Sequence, residues 1–527
     1  REHQARSCAG GVSVSEYGGP EASATTRRVT GVSARRGELS LPSSGGGGVS
    51  GHTAATFAAK WLGDEHEVLV VTPNSKWNWI PSNIWVGVGD MPKNDVVFDL
   101  APVYKKAGIT YAQAKAVSIN PKGNESSDKA FVTVEYTGQE KEGQSANIEY
   151  DYLINATGPR LNFGATPGLG IGNQLGEHTV SVCTADHAEH ANHELQKLIK
   201  EMKNGQKKKI LIGTGHGMCT CQGAAFEYIF NVENVIKRAG VRHMANIKWI
   251  SNEQFLGDFG VAGVHITSNG HVVSSKIMAE SLFVERDVDW ITGAHVSKVE
   301  AGKVSYELLD GSTGEEEFDF SMLIPPFAGV GIKAYGKDGS DITSTVFAPN
   351  SFMKVDATYG KTKFEDFKAS DWPSTYQNPT YKNMYAVGIA FAPPHPISMP
   401  MTTPNGTPIT PSPPRTGMPS GIIGKAVAAS ICDMIKGKSN TPTHTASMAE
   451  MGAACVASTG KGFFNGTAAA LTVYPVVPDY EKYPGTGRDP EHTFGEIGLA
   501  GHWIKQILHH LFIWKAKLKP FWTIIPE

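Results

Sequence analysis

Cysteine is scarce. Six in 527 residues are too few for a disulfide-stapled scaffold. Charge of either sign is nearly balanced, 48 Lys and Arg against 51 Asp and Glu for a net −3, so no global field argues for nucleic acid as a partner. No run of about 18 or more apolar residues is present, and no membrane-spanning helix is expected. The first residues lack the basic, apolar and small-residue blocks of a secretory signal. Residues 1–44 are poor in large apolar side chains and rich in Ser, Gly and Arg. That composition predicts a disordered or atypical leader, in which Cys8 has no role. The remaining length suits roughly two to four domains around a large core.

Two glycine turns organise what is there. At Gly46-Gly-Gly-Val-Ser-Gly51 the pattern G-x-G-x-x-G is complete, a helical run from His52 to Leu62 follows, and then a strand from Glu67 to Val71. Turn, helix and strand are half of a dinucleotide-binding unit, with the pyrophosphate over Gly46, Gly48 and Gly51. The strand that should precede the turn is sought in residues 38–44, where only two large apolar residues and a proline stand. The second strand ends in Thr72-Pro73-Asn74 in place of an acid, so a ribose would meet a hydroxyl or an amide. The second turn is Gly213-Thr-Gly-His-Gly217, after the buried strand Ile210 to Ile212. Its third glycine position is Met218, and Cys219 and Cys221 follow before a helix from Gly223 to Arg238. A thiolate at a helix N-terminus is stabilised by the dipole and is reactive. Two inert core cysteines are the plainer alternative. A zinc site is a third, but no second C-x-x-C or paired His completes one.

Further along, Trp77, Trp79 and Pro81-Ser-Asn-Ile-Trp85 form an aromatic loop, fit to stack on a flat ring or simply to pack. Strands at Phe131–Tyr136 and Ile148–Ile154 lead into Ala156-Thr-Gly-Pro159. Residues 393–414 are Pro- and Thr-rich and read as an extended surface loop. Cys432 sits on an apolar helix face and reads as core. From Ile497 to Lys519 no acid occurs. There Trp503, Ile504, Ile507, Leu511, Phe512 and Trp514 fall on one wide helical face, and Lys505, His509, His510, Lys515, Lys517 and Lys519 add basic character. A basic amphipathic helix of this kind lies in a bilayer interface, or else docks on the core.

These motifs together resemble the sulfide:quinone oxidoreductases and the related flavoprotein subunit of flavocytochrome c sulfide dehydrogenase. The matching residues are Gly46–Gly51, Pro81–Gly89, Tyr152–Pro159, Cys183-Thr-Ala-Asp-His187, Cys221–Glu227, Tyr385–Ala390, Arg415-Thr-Gly417, and Cys455 followed by Gly460-Lys-Gly-Phe463. The resemblance implies an α/β fold of two Rossmann-like domains, the second inserted in the first, with C-terminal amphipathic membrane-binding helices. FAD-binding segments would occupy residues 45–159 and 331–440, the second Rossmann-like domain 160–330, and the redox-cysteine and membrane segment 441–527. It implies FAD, held at Gly46, Gly48, Gly51, Thr72, Asn74, Ala156, Thr157, Gly158, Gly388, Ile389, Thr416 and Gly417. Cys221 and Cys455 would be the redox pair that carries sulfide sulfur, with Cys183 as third cysteine. Cys219 leaves open which thiol of C-x-C faces the flavin. His187 and Glu227 would handle protons, while Asp258 replaces a histidine of the family. His216 matches none of its positions. Trp79 and Phe512 would sandwich the quinone ring. The expected activity oxidises sulfide to sulfur or polysulfide and passes electrons to quinone from a peripheral, monotopic position on lipid, with a homo-oligomer open. NADH is disfavoured as donor. Two rivals remain: a soluble flavoprotein serving a cytochrome partner, and a degenerate flavoprotein fold acting as a binding module.

Overall fold

The strand that opens the first unit lies upstream of where its hydrophobicity was sought. In the computed structural model, which describes residues 28–32, 48–170, 178–268, 270–415 and 417–527, Arg28–Val32 runs parallel between Glu67–Thr72 and Tyr152–Asn155. Part of the expected leader is therefore a central strand. β-Branched Val29, Thr30 and Val32 carry it, hidden among Ser, Gly and Arg. Gly46, Thr416 and Cys8 lie outside the described residues.

The first sheet runs Met384–Ala386, Tyr152–Asn155, Arg28–Val32, Glu67–Thr72 and Thr110–Asn120, all parallel, and ends in the antiparallel strands Phe131–Tyr136 and Ser145–Glu149. The chain leaves this sheet after Asn155, rejoins it at the short strand Lys333–Ala334 beside Thr110–Asn120, and adds the strand Met384–Ala386 next to Tyr152–Asn155. Helix Val49–Leu62 covers it, packed on helix Met418–Ile435. The approach is close: a Cβ at Gly424 would stand 2.4 Å from the Ser50 carbonyl. Met418–Ile435 is long and apolar enough to cross a membrane, but most of it is buried in the protein, and Cys432 is buried within it. A second sheet is all parallel, in the order Val288–Ile291, Ala245–Ile250, Lys208–Thr214, Phe320–Ile324. Its central strand is buried from Ile210 to Thr214, as a sheet covered on both faces requires. A third sheet joins the hairpin His265–Ser274 to three C-terminal strands, Phe494–Gly498, Thr467–Val473 and Ala453–Gly460.

Two expectations about exposure are corrected. The Pro/Thr segment is no surface loop: His395, Ile397, Ser398, Thr403, Ile409 and Thr410 are buried, because it straps the second glycine turn. The C-terminal helix Leu499–Ala516 does not turn its cations outward. Lys505, His509 and Lys515 are buried, whereas Trp503, Ile504, Ile507, Leu511 and Trp514 are exposed. Its inward polar groups are satisfied by protein partners: the Lys515 ammonium donates to Glu527 and to the carbonyls of Ile525 and Pro526, and Ser82 Oγ lies 2.9 Å from the uncharged His509 at Nδ1. Phe463, Phe464, Phe521 and Ile524 are exposed beside the apolar face.

Candidate functional site

The cysteines gather where helix Gln222–Arg238 begins. Cys221 is its N-cap and takes a left-handed backbone, φ 67°. That conformation is uncommon for a residue with a side chain and is tolerated where surroundings enforce it. Cys219 is fully buried, its thiol donates to the Ile324 carbonyl at 3.0 Å, and burial pushes its pKa far up. Cys221 is half-buried. The two thiols of C-x-C thus differ: one is locked and neutral, the other stands at a helix N-terminus.

Strand Ala453–Gly460 lies against the first turns of this helix. A Cβ placed on Gly223 would meet Cys455 Sγ at 4.0 Å, so the fold brings Cys455 to within two residues of Cys221 across 234 positions of chain. Cys183, half-buried just before helix Ala185–Lys203, acts electrostatically on Cys219, as does Cys221. Cys183, Cys219, Cys221 and Cys455 therefore share one neighbourhood, and Cys432 is elsewhere in the core.

Three charges flank the thiols. Glu227 is buried one turn beyond Gly223, and Lys505 reaches it from the C-terminal helix at 2.7 Å. Burial pushes the Glu227 carboxyl up, against the pull of Lys505 and Ser458. The Cys455 thiol is raised by desolvation, lowered by Lys505 and raised by Glu227. Arg415 is buried over the rings of Phe352 and Phe391 and donates to the Phe391 carbonyl. Burial brings it down to about 10, while Cys221 pulls it back up. It is a desolvated cation within electrostatic reach of the half-buried Cys221 thiol. Neither Arg415 nor Lys505 was singled out from sequence as a site residue; the R-T-G motif was the only signal for the first.

The expected flavin residues form a cradle. Helices Val49–Leu62 and Met418–Ile435 start from Gly48 and Gly417 and converge on Gly388, φ 62°, where a Cβ would strike Ser50 Oγ at 2.5 Å. Ile389 follows in the same short turn. Paired helix N-termini suit a pyrophosphate. A Cβ on Gly48, Gly158 or Gly417 would meet no protein atom within 4 Å, while one on Gly51 would touch Ala156 at 2.8 Å. The first three leave room for a ligand, and the fourth is helix–strand packing. Asn155 Oδ1 accepts from Thr157 N at 3.2 Å. Thr72 is buried at its strand end, and Asn74 Nδ2 is buried without a hydrogen-bond partner. These residues fit a dinucleotide flavin.

The second glycine turn is closed. Gly217 N donates to His295 Nδ1 at 3.0 Å and Met218 N to His216 Nδ1 at 3.1 Å. Its carbonyls are taken by the strap: Thr410 N donates to Gly217 O at 2.8 Å and Ser412 N to Cys219 O at 2.9 Å. His216 and His295 meet edge to face at 4.5 Å.

Other expected residues resolve as follows. His187 donates its backbone N–H to Thr184 Oγ1 at 3.1 Å in the helix cap, and its half-buried ring meets Phe163 edge-on at 6.3 Å. Asp258 is buried and bound by Ser398 Oγ at 2.5 Å. Near it stands a carboxyl that sequence missed, Glu253, pushed up to about 8 by burial. Trp79 and Phe512 do come together, but as a direct stack at 4.9 Å and 14°. They form one wall beside a small cavity, not two walls around a ring, because the C-terminal helix packs straight onto the aromatic loop.

The family model of pyridine nucleotide-disulphide oxidoreductases matches residues 46–358. The sulfide-quinone reductase of Aquifex aeolicus (strain VF5) is 30% identical over 474 residues, 90% of each chain. The X-ray structure of sulfide:quinone oxidoreductase from Aquifex aeolicus aligns with a TM-score of 0.69 at 28% identity, covering 94% of this chain and 92% of that one. NDH2 from Plasmodium falciparum in complex with NADH shares the fold, with a TM-score of 0.59 at 12% identity and coverage of 94% and 96%.

Proposed function

The chain belongs to the pyridine nucleotide-disulphide oxidoreductases, among the sulfide-quinone reductases, and on that premise we propose that Cys221 and Cys455 carry the sulfur it oxidises. It is an FAD enzyme that oxidises sulfide with quinone as electron acceptor. One observation carries the assignment of the pair: Cys455 Sγ stands 4.0 Å from where a Cβ of Gly223 would be, on the helix that Cys221 opens.

In the oxidised pair the two cysteines are joined through sulfur. HS⁻ attacks the sulfur bonded to Cys221 Sγ, on the chain held by Cys455. One S–S bond forms to the incoming sulfur, another breaks, and Cys221 leaves as a thiolate, with no net change of electrons. The helix N-terminus and Arg415 stabilise that thiolate. Re-forming the bridge around the added sulfur releases two electrons and one proton from thiolate and persulfide. Bound FAD supplies the two-electron acceptor that hands the pair on to quinone. Sulfide plus quinone thus give one sulfane sulfur, kept in the chain between the cysteines, and a quinol. Glu227 and His187 hold protons during the cycle, and Cys183 is the third thiol beside the flavin.

FAD, when bound, would be held by Gly46, Gly48 and Gly51, by Ala156–Gly158, and by Gly388, Ile389, Thr416 and Gly417, with Thr72 and Asn74 offered to its ribose. Two nested dinucleotide-type units support it, with the second in residues 160–330. The outward face of Trp503, Ile507, Leu511 and Trp514 rests on the membrane surface and admits quinone from lipid past Trp79 and Phe512. A helix with its cations inward and its large apolar side chains outward favours lipid over water as its outer neighbour.

Anaerobic titration with sulfide tests this reading. Sulfide should bleach the flavin absorbance in the parent, and Cys221→Ser and Cys455→Ser should keep the flavin but lose the bleaching. Retention of full sulfide reduction in either variant refutes the pair.

A further inference from the structure

Lys505 is the one cation that reaches the sulfur site from the C-terminal helix. Its ammonium donates to Glu227 Oε2 at 2.7 Å and to the carbonyl of Val456, next to Cys455, at 2.8 Å. It lies 5.8 Å from the Trp85 ring centroid. Lys505 and Glu227 are 8% and 6% exposed, so their charges are little screened by solvent. The other Glu227 oxygen, Oε1, is buried with no hydrogen-bond partner. A buried ion pair with an unmet oxygen is a poor device for stability alone, since desolvation offsets most of the attraction. Its placement suits charge control at the neighbouring thiol.

We propose that Lys505 is a positioning residue for the sulfide half-reaction: it offsets the Glu227 carboxyl and favours the anionic form of the sulfur on Cys455, a thiolate when the pair is reduced and a persulfide anion once incoming sulfur is carried. The inference rests on the assignment of Cys455 to sulfur transfer. The groups facing Cys455 are few. Helix Gln222–Arg238 supplies Glu227, and the C-terminal helix supplies Lys505, with His509 one turn on. The strand paired with it, Thr467–Val473, carries no charge and sets Leu471 opposite. Of the two charges, the lysine has the larger effect on the Cys455 thiol and opposes the carboxylate. His509 is held down to about 4 by burial and its neighbours and contributes no charge near neutrality.

Opposed effects give the test its signature. The FAD-loaded full chain is reduced with a phosphine, and alkylation of Cys455 by iodoacetamide is followed by peptide mass spectrometry across pH. Lys505→Met should slow alkylation near neutrality by about threefold or more and move the profile to higher pH, since a tenfold change corresponds to one pH unit. Glu227→Gln should move it the other way, and Lys505→Arg should restore the parent profile. In parallel, Lys505→Met should slow bleaching of the flavin by sulfide while the KM for quinone is kept. An unchanged profile in Lys505→Met, or shifts of the same sign in Lys505→Met and Glu227→Gln, overturns the proposal. So does a loss of quinone use with an unmoved profile, which makes the lysine a seat for the helix only. If Lys505→Met fails to fold, the direction of the Glu227→Gln shift and the Lys505→Arg profile decide. Absence of any sulfide bleaching in the parent overturns the sulfur-transfer assignment instead, and the alkylation shifts are read apart from it.

Discussion

NADH should not reduce this flavoenzyme, although its fold carries a second glycine turn of the kind that holds nicotinamide nucleotides. The reason lies in the turn's own hydrogen bonds. A pyrophosphate binds there through free backbone N–H groups and a close glycine. Here the amides of Gly217 and Met218 already donate to His295 and His216. Burial brings His216 down to about 4 and lowers His295 as well, so neither ring offers a positive charge in exchange. The strap closes the same space, its Pro408 carbonyl only 2.5 Å from where a Cβ of Gly217 would sit. A hydrogen bond to a charged group is worth roughly 1.5–3 kcal/mol. Two missing amides therefore cost about 3–6 kcal/mol, a factor of about a hundred to ten thousand in Kd, before the strap is lifted. Affinities that are micromolar at an open site become about 0.1 to 10 mM. Anaerobic stopped-flow at the flavin absorbance is the assay, with NADH raised to millimolar. Saturable bleaching with half-effect at micromolar NADH would refute the argument. His216→Ala with His295→Ala frees the two amides but leaves the strap, and should recover only part of the loss.

The two thiols of C-x-C should separate cleanly: Cys221→Ser lowers sulfide-dependent quinone reduction by orders of magnitude, whereas Cys219→Ser mainly costs stability, about 1–3 kcal/mol for a buried hydroxyl in a thiol's place, seen as a lower midpoint in urea. Cys432→Ser should behave like Cys219→Ser in the melt and like the parent in turnover. Glu253 binds its proton more tightly folded than unfolded, so its contribution to stability is whole below pH 4.5 and is lost as pH rises toward about 8; Glu253→Gln should flatten that decline in thermal melts, and an equal slope in both proteins excludes Glu253 as its source. Combined Trp503→Ser, Ile507→Ser and Leu511→Ser should free the protein from anionic vesicles in a pelleting assay while sulfide still bleaches the flavin.

Glycines and the A-T-G-P turn made the glycine-lined cradle legible in sequence, because a backbone that must approach a ligand tolerates few residue types. The first strand was not legible, since Arg28–Val32 is fixed by pairing with Glu67–Thr72 and Tyr152–Asn155, far along the chain. Composition likewise misplaced residues 393–414: Pro and Thr predict extended backbone correctly, but not which surface it covers. The difference between Cys219 and Cys221 depends on a left-handed φ and on the Ile324 carbonyl. Periodicity found the apolar stripe of the C-terminal helix, read as lying in a bilayer interface or else docked on the core, but not the inward direction of its lysines. A stripe of Trp, Ile and Leu points inward by default, and only the partners of Lys505 and Lys515 reverse it.

That reversal bears on how the helix can be dissected. Eighteen residues present one surface outward and quite another to Glu227 and Ser82, so a truncation removes two functions in a single stroke. Loss of turnover after such a deletion would be credited to missing quinone even where the thiol had fallen silent. Substitutions chosen by face keep the two apart. Outward positions ask only for bulk and oiliness, and one greasy side chain can stand in for another. Inward positions ask for a particular charge at a particular reach, and at Lys505 even a side chain of similar length without the charge is a different residue.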